Sequence, residues 1–310
     1  MPRSRNPQLL AYLALGIGSL NIGFSAIFVR WAHAPGAVAG FYRVAIAALL
    51  MTWPFSRRVK ARGRLPRRGI RFALLGGLFF AADLGFWATG VVLSGATNPT
   101  LLANTAPLWV GLGALVIFRE KLTATFWVGV LVAMCGAALI LGLDALRAAS
   151  FGLGSLFGLL SGIFYGGYFL ITQRGRETLD PLTYFWPAAL SSALSLLLVC
   201  LALRQPLTGY PLRTYVIFLG MGLVNQVLGY LCINYALGHL PASRVAPTML
   251  GQPVFTALLA WALLGEALVG WQVMGGAAVL VGVYTVHRSR QPTHHPPTPQ
   301  LPQAHTGRSQ

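Results

Sequence analysis

The sequence predicts an all-α integral membrane protein in which ten transmembrane helices form two inverted five-helix repeats. Three observations carry this prediction: an apolar composition, ten apolar runs and an internal repeat. Of the 310 residues, 55% are hydrophobic and only 9% are charged, so there is too little charge to cover a surface that faces water. The chain is therefore expected to lie in lipid.

Each apolar run is close to the roughly 20 residues that a membrane-spanning helix requires. The first run is followed by Ala32-His33-Ala34 like a signal peptide, but it is longer than the apolar core of a cleavable signal, and we interpret it as a retained helix. The ten runs cover residues 9–29, 35–55, 70–92, 97–118, 122–142, 151–173, 181–203, 214–236, 243–264 and 268–287.

The internal repeat relates the two halves of the chain. Pro107 and Glu120 fall on Pro253 and Glu266 at one offset of 146 residues (253 − 107). An odd number of helices per copy turns the second copy upside down in the bilayer, as in secondary transporters. The predicted divisions are a cytoplasmic N-terminus at 1–8, a first five-helix repeat at 9–142, a second at 151–287 and a disordered cytoplasmic tail at 288–310.

The net charge of +17 comes mainly from Lys and Arg residues in the predicted loops. Lys and Arg concentrate in alternate loops, above all between Arg57 and Arg71, and this bias predicts that both termini and the loop at 56–69 are cytoplasmic. The basic loop also suits anionic lipid head groups or nucleic acid, but setting the topology explains it without either. We expect membrane lipids as partners and no nucleic acid.

Ionisable side chains deep in a span are costly and mark functional or structural sites. At 1.5 Å per residue, Asp83 and Asn21 lie roughly 18 Å from the inner face, and Arg43 roughly 12 Å below the outer face, of a core about 30 Å thick. The three side chains are thus predicted to share one level. Arg43 and Asp83 are either a structural ion pair or part of a transport site, with Asp83 as the candidate proton carrier.

The second copy differs at this level. Asp83 and Arg43 correspond to Val227 and Pro187, so a site between the halves is predicted to be asymmetric. Amides and aromatic rings near that level are candidate walls of a substrate or ion pathway, with core packing as the alternative for each ring. These candidates are Trp87, Tyr165, Tyr168, Asn225, Gln226 and Tyr230.

Pro107 and Pro253 sit midway along matched helices and are predicted to kink them. The neighbouring amides Asn104 and Gln252 either satisfy the carbonyl groups that the prolines free or bind substrate. Glu120 and Glu266 precede matched helices, and we assign them a structural role at the positive helix ends. Glycines every four residues between Gly158 and Gly166 predict a close helix approach.

No HExxH, Walker-type or GxGxxG motif is present, and Cys135, Cys200 and Cys232 lie in separate spans without paired spacing. We therefore expect no catalytic residues, no cofactor, no metal and no ATP-driven pump.

Three segments resemble the EamA-like branch of the drug/metabolite transporter superfamily. They are the second helix GAVAGFYRVAIAALL, the segment SGATNPTLLANTAPLWVGLGALVIFREKLT and its repeat in the second half, LPASRVAPTMLGQPVFTALLAWALLGEALV. The resemblance covers about residues 9–287. It implies a ten-helix carrier of a small metabolite or drug, often an exporter, with a central cavity between inverted halves.

The sequence therefore favours a secondary carrier working by alternating access, with proton coupling left open. A membrane-embedded lipid-modifying enzyme and a non-transporting sensor or scaffold are the alternatives. The excess of Arg over Lys suggests a GC-rich bacterial gene and hence a bacterial inner membrane.

Overall fold

In a computed structural model of the chain, residues 7–94, 97–142, 152–265 and 267–289 are described. They form a series of helices. Residues 1–6 and 290–310, which hold most of the predicted termini, lie outside the described residues, and so does Glu266. The helices are α1 (Pro7–Gly23), α2 (Ser25–Ala32), α3 (Gly36–Arg62), α4 (Arg67–Ser94), α5 (Thr97–Ala103), α6 (Ala106–Ile117), α7 (Ala124–Leu141), α8 (Leu153–Arg176), α9 (Pro181–Ala202), α10 (Leu212–Gly220), a π-helix (Met221–Tyr230), α11 (Leu231–Leu237), α12 (Ala242–Met249), α13 (Gln252–Leu264) and α14 (Gly270–Arg288).

Within these ranges, nine helical stretches are long and apolar enough to cross a membrane. They correspond to the first nine predicted runs. The tenth run is also a helix, α14, but it is not among the nine. Its glycines, together with Gln272, His287 and Arg288, make it less apolar than its neighbours.

The two matched prolines mark helix breaks rather than simple kinks. Helix α5 ends at Ala103 and α6 begins at Ala106, with Pro107 in its first turn. In the second half, α12 ends at Met249 and α13 begins at Gln252, with Pro253 in its first turn. Proline is well tolerated at the start of a helix, because its missing N–H has no intrahelical partner there. Each of these prolines therefore lies just after a two-residue break between helical segments, called a corner below.

A π-helix of ten residues interrupts the eighth span. Its wider turn accompanies close packing on α3: a Cβ added at Gly222 would lie 2.6 Å from Cγ2 of Ile46 and 3.4 Å from the carbonyl oxygen of Arg43. π-Helical turns are rare and are frequent at functional sites. This one carries Asn225, Gln226 and Tyr230, three of the predicted pathway residues.

Helices from the first half pack on helices from the second. Helix α4 lies along α8, α9 lies against α3 and α4, and α7 lies along α14. Glycines permit the last contact: a Cβ added at Gly136 would lie 2.6 Å from the backbone nitrogen of Val279, and one added at Gly275 would lie 2.6 Å from the carbonyl oxygen of Gly136. Small residues that let helix backbones approach are typical of membrane helix interfaces.

Large apolar side chains cover the outside of the helices. They include Leu49, Val92, Val116 and Leu212, each about three-quarters exposed. A protein in water rarely leaves so much apolar surface uncovered, whereas lipid accepts it. The polar side chains discussed below lie inside.

Candidate functional site

A small cavity lies between the helices of the two halves. Its polar lining comes from three amide or hydroxyl side chains and one phenol, and the remainder is apolar. The lining residues are Phe80, Tyr168, Phe185, Ala188, Ala189, Ser192, Gln226 and Asn234. Two of the predicted pathway residues, Tyr168 and Gln226, therefore line one cavity.

An aromatic cluster forms one side of this cavity. The Phe80 ring centroid lies 5.0 Å from that of Tyr168 and 4.8 Å from that of Tyr230. Tyr165 stacks on Tyr168, and the Tyr165 and Tyr230 hydroxyl oxygens are 3.4 Å apart. The Tyr168 hydroxyl donates to Oδ1 of Asn234 at 3.2 Å. Helices α4, α8 and the π-helix thus bring three predicted tyrosines together around Phe80.

Asp83 lies one turn after Phe80 on α4 and is buried. The Ser161 hydroxyl on α8 donates to its Oδ1 at 2.5 Å, so the carboxyl group is held between the two halves. Ser161 is fully buried and follows Gly158 by three residues on the glycine-rich face of α8. The close approach of helices on that face brings a serine within reach of a carboxyl group in the membrane interior.

Arg43 on α3 is also buried, with 5% of its surface exposed. Its guanidinium lies over the Phe80 ring at 5.5 Å and the Tyr230 ring at 5.8 Å, which are cation–π contacts. Its Nη1 donates to the Ser25 hydroxyl at 3.3 Å. Arg43 and Asp83 therefore border the same aromatic cluster, but the described residues show no ion pair between them. Each group instead bonds a different serine, Arg43 to Ser25 and Asp83 to Ser161.

The other predicted pathway residues lie around this centre at different distances. The Asn225 amide donates to the backbone carbonyl of Asn21, which joins α1 to the π-helix. Gln252, at the start of α13, lies beside the Tyr165 hydroxyl. Asn104 lies at the corner between α5 and α6, and its buried amide nitrogen has no hydrogen-bond partner among the described residues.

Trp87 does not join the cluster. Its indole nitrogen donates to the Thr100 hydroxyl at 3.0 Å, and its ring packs beside Gly36 at the start of α3. This contact braces α4 against α5, which favours the core-packing alternative that we kept for each aromatic ring.

The end of α8 is fastened to three other helices. Gln173 accepts a hydrogen bond from the backbone N–H of Ala242 at 2.6 Å, at the start of α12. Arg176 donates to the carbonyl oxygen of Asn234 at 2.7 Å and also contacts that of Leu179. Arg174 donates to the carbonyl oxygen of Ile117 at 3.1 Å. These hydrogen bonds hold the end of α8 against α6, α11 and α12.

Glu120 makes a further contact between the halves near this end of α8. The Ser243 hydroxyl donates to its Oε2 at 2.6 Å, so the carboxylate lies at the start of α12. The helix that follows it in sequence, α7, begins at Ala124 and has no acidic residue in its first turn. Glu120 was predicted to lie at the start of the helix that follows it. Its carboxylate instead contacts the start of α12, in the other half of the chain. The matched residue Glu266 lies outside the described residues.

Ser161, Ser25, Asn234 and Phe80 were not predicted as site residues. Ser161 and Asn234 had a usable signal, since each is a polar residue within an apolar span. Phe80 had none, because a phenylalanine in a membrane helix looks the same whether it faces a cavity or a core. Among the described residues, no group of three His, Cys, Asp or Glu side chains could hold a metal ion.

Apolar helices of membrane-spanning length with a polar, partly aromatic centre define a multi-pass membrane protein. A family model described as the EamA-like transporter family matches residues 9–142 and again residues 152–288. The chain therefore belongs to the EamA-like transporter family.

Relatives of this chain are also named as transporters. It is 24% identical over 251 residues to the uncharacterized transporter YyaM of Bacillus subtilis (strain 168), covering 79% of this chain and 81% of that protein. It is 26% identical over 281 residues to a riboflavin transporter of Rhizobium johnstonii, covering 88% and 87%. A solved crystal structure matches with a TM-score of 0.72 at 18% identity, covering 90% of this chain and 96% of that one. At that identity the likeness shows the fold.

Proposed function

We propose that the protein is a secondary transporter that moves a small metabolite or drug by alternating access around the central cavity. The observation that carries the proposal is the set of polar side chains buried where the halves meet. Asp83 and Gln226 are less than a tenth exposed and come from different halves. Burying polar groups in a membrane interior costs free energy, and a pathway for a polar solute requires such groups.

The architecture proposed for this function is two inverted five-helix repeats, at 9–142 and 151–287. The broken helices α5–α6 and α12–α13 occupy matched positions of the repeats, as discontinuous helices do in inverted-repeat carriers. Both termini and the fastened end of α8 are then cytoplasmic, since Arg174 and Arg176 lie there. The composition suggests a bacterial inner membrane, and the direction expected from the family resemblance is export.

Asp83 is the proposed proton carrier. Its carboxyl group lies between the halves and bonds a neutral serine, so the surrounding bonds can accommodate either protonation state. A carrier of this kind needs neither nucleotide nor cofactor. An enzyme would require a nucleophile, base or metal cluster near the cavity, and a scaffold would not require a polar cavity.

Flux measurements in sealed proteoliposomes without ATP test the proposal. Riboflavin is the first cargo to try, because one relative is named a riboflavin transporter. Further candidates come from a panel of metabolites screened by thermal shift. A ligand at 100 times its Kd adds about 2.7 kcal/mol to the free energy of unfolding, which such a screen detects. We expect saturable flux of at least one stabilising compound and its loss in Asp83→Leu. Flux that requires ATP, or that persists unchanged in Asp83→Leu, would contradict the proposal.

A further inference from the structure

Arg43 is the one charged side chain of the central cluster that retains unused hydrogen-bond donors among the described residues. Its Nη1 reaches the Ser25 hydroxyl, but its Nε and Nη2 are buried without a hydrogen-bond partner in that part of the chain. A buried guanidinium with unpaired N–H groups costs free energy comparable to several unmade hydrogen bonds. Arginine presents Nε and one Nη as a planar fork, which matches the two oxygens of a carboxylate or phosphate.

The available counter-charge does not use this fork. Asp83, the nearest carboxylate of the cluster, bonds Ser161 and forms no ion pair with Arg43. Glu120 bonds Ser243 at the fastened end of α8, and Glu177 pairs with Arg174. Among the described residues, no carboxylate lies within ion-pair distance of Arg43, so its Nε and Nη2 are available to a bound anion.

The surroundings of the guanidinium also have a definite character. It lies over the rings of Phe80 and Tyr230, and Phe80 together with Tyr168 lines the cavity. An anion bound to the fork would have aromatic faces beside it, onto which a planar or apolar body can pack. Gln226, whose buried Oε1 has no hydrogen-bond partner among the described residues, adds an acceptor at the cavity wall.

We propose that Arg43 is the anion-binding group of the central site and that the cargo is a small organic anion with an aromatic or apolar body. The inference rests on the proposed transport function and names the substrate class of the same site. The carboxylate or phosphate of the cargo binds Nε and Nη2, while its body packs on the Phe80, Tyr168 and Tyr230 rings. Riboflavin carries the ring system but no such anionic group, so it is predicted to bind more weakly than an aromatic carboxylate of similar fit.

Binding of matched probes to the purified protein tests this assignment. Phenylacetate supplies a carboxylate on a ring, phenylacetamide is its neutral counterpart, and inorganic phosphate is an anion without a ring. We expect phenylacetate to raise the melting temperature and to bind at least about tenfold more tightly than phenylacetamide, which has no charge for an ionic hydrogen bond to the fork. It should also bind at least about tenfold more tightly than inorganic phosphate, which has no ring to pack on the aromatic side chains. Equal affinity for phenylacetamide, equal affinity for phosphate, or no binding of phenylacetate would overturn the proposal.

Arginine variants assign the effect to its residue. Arg43→Gln should raise the Kd for phenylacetate about 10- to 100-fold. Arg57→Gln is the matched control, because Arg57 lies on the same helix over the Trp53 ring at 4.9 Å but is exposed, and it should bind like the wild type. Arg43→Lys keeps the positive charge but loses the planar fork, and it replaces Arg43→Gln in the test if that variant does not fold. Its affinity for phenylacetate should lie between those of the wild type and Arg43→Gln. Wild-type affinity in either Arg43 variant would refute the assignment.

The two proposals fail separately. If riboflavin or another neutral compound crosses proteoliposomes and no anion binds, transport stands and the anion site is refuted. If phenylacetate binds through Arg43 and no panel compound is carried, the anion site stands and the transport proposal fails.

Discussion

Replacing Gly162 by alanine is expected to destabilise the protein, whereas the same substitution at Gly16 is expected to stabilise it. A Cβ added at Gly162 would lie 2.7 Å from the Thr105 hydroxyl oxygen and 2.8 Å from the carbonyl oxygen of Leu102. Neither atom moves freely: the Thr105 hydroxyl donates to that same carbonyl and accepts from the indole nitrogen of Trp109 at 3.0 Å. The corner between α5 and α6 must therefore shift away from α8.

The magnitude follows from two opposing effects. Overpacking of a well-packed helix contact costs about 1–3 kcal/mol, and the helix gains about 0.5–1 kcal/mol when glycine becomes alanine. The net loss expected for Gly162→Ala is the difference, at most about 2.5 kcal/mol and about 1 kcal/mol at the middle of the two ranges. A Cβ at Gly16 meets no heavy atom within 4 Å, so only the gain of about 0.5–1 kcal/mol applies there.

Thermal unfolding of the two variants and the wild type in one detergent, followed by tryptophan fluorescence, measures both effects. The melting temperature should fall for Gly162→Ala and rise for Gly16→Ala. A shift in the same direction for both variants would refute the close packing of α8 on the α5–α6 corner.

Three further predictions concern the hydrogen bonds and the topology. Ser161→Ala should lower stability by about 1.5–3 kcal/mol, because Asp83 loses its hydroxyl donor, and Asp83→Asn should lose less, because its amide oxygen still accepts; equal thermal shifts would contradict this. Glu120→Ala and Ser243→Ala should each cost about 1.5–3 kcal/mol but together little more than one alone, since they remove one contact; fully additive losses in a double-mutant cycle would refute the bond. Reporter fusions after Arg64 and after Arg290 should both report a cytoplasmic location, and an external signal from either would overturn the inverted topology.

The sequence was sufficient for features that depend on local pattern. Apolar length located the spans, and the matched Pro107 and Pro253 located the two interrupted helices. Whether a proline bends a helix or ends it depends on the tertiary contacts that satisfy the freed backbone groups. The structure shows a two-residue break just before each of these prolines.

Features that depend on which helices meet were not accessible in the same way. The Ser161 partner of Asp83 and the Ser243 partner of Glu120 lie 78 and 123 residues away in the chain. The π-helix accompanies close packing of Gly222 on α3, and the pattern of apolar residues does not reveal a change in hydrogen-bond register. Equal depth of Arg43 and Asp83 suggested an ion pair, but depth alone does not set the direction in which a side chain points.

Alternating access is tested most directly at Ser192, which lines the cavity and is about 1% exposed. A Ser192→Cys protein whose native cysteines are replaced by alanine is reconstituted and treated with a membrane-impermeant sulfonated thiol reagent from either face. A protein that keeps only Cys200, which is buried away from the cavity, is the control. We predict slow modification of Cys at position 192 from both faces and none of Cys200. Modification from one face only, or from neither, would contradict a transporter that opens this cavity alternately to the two sides.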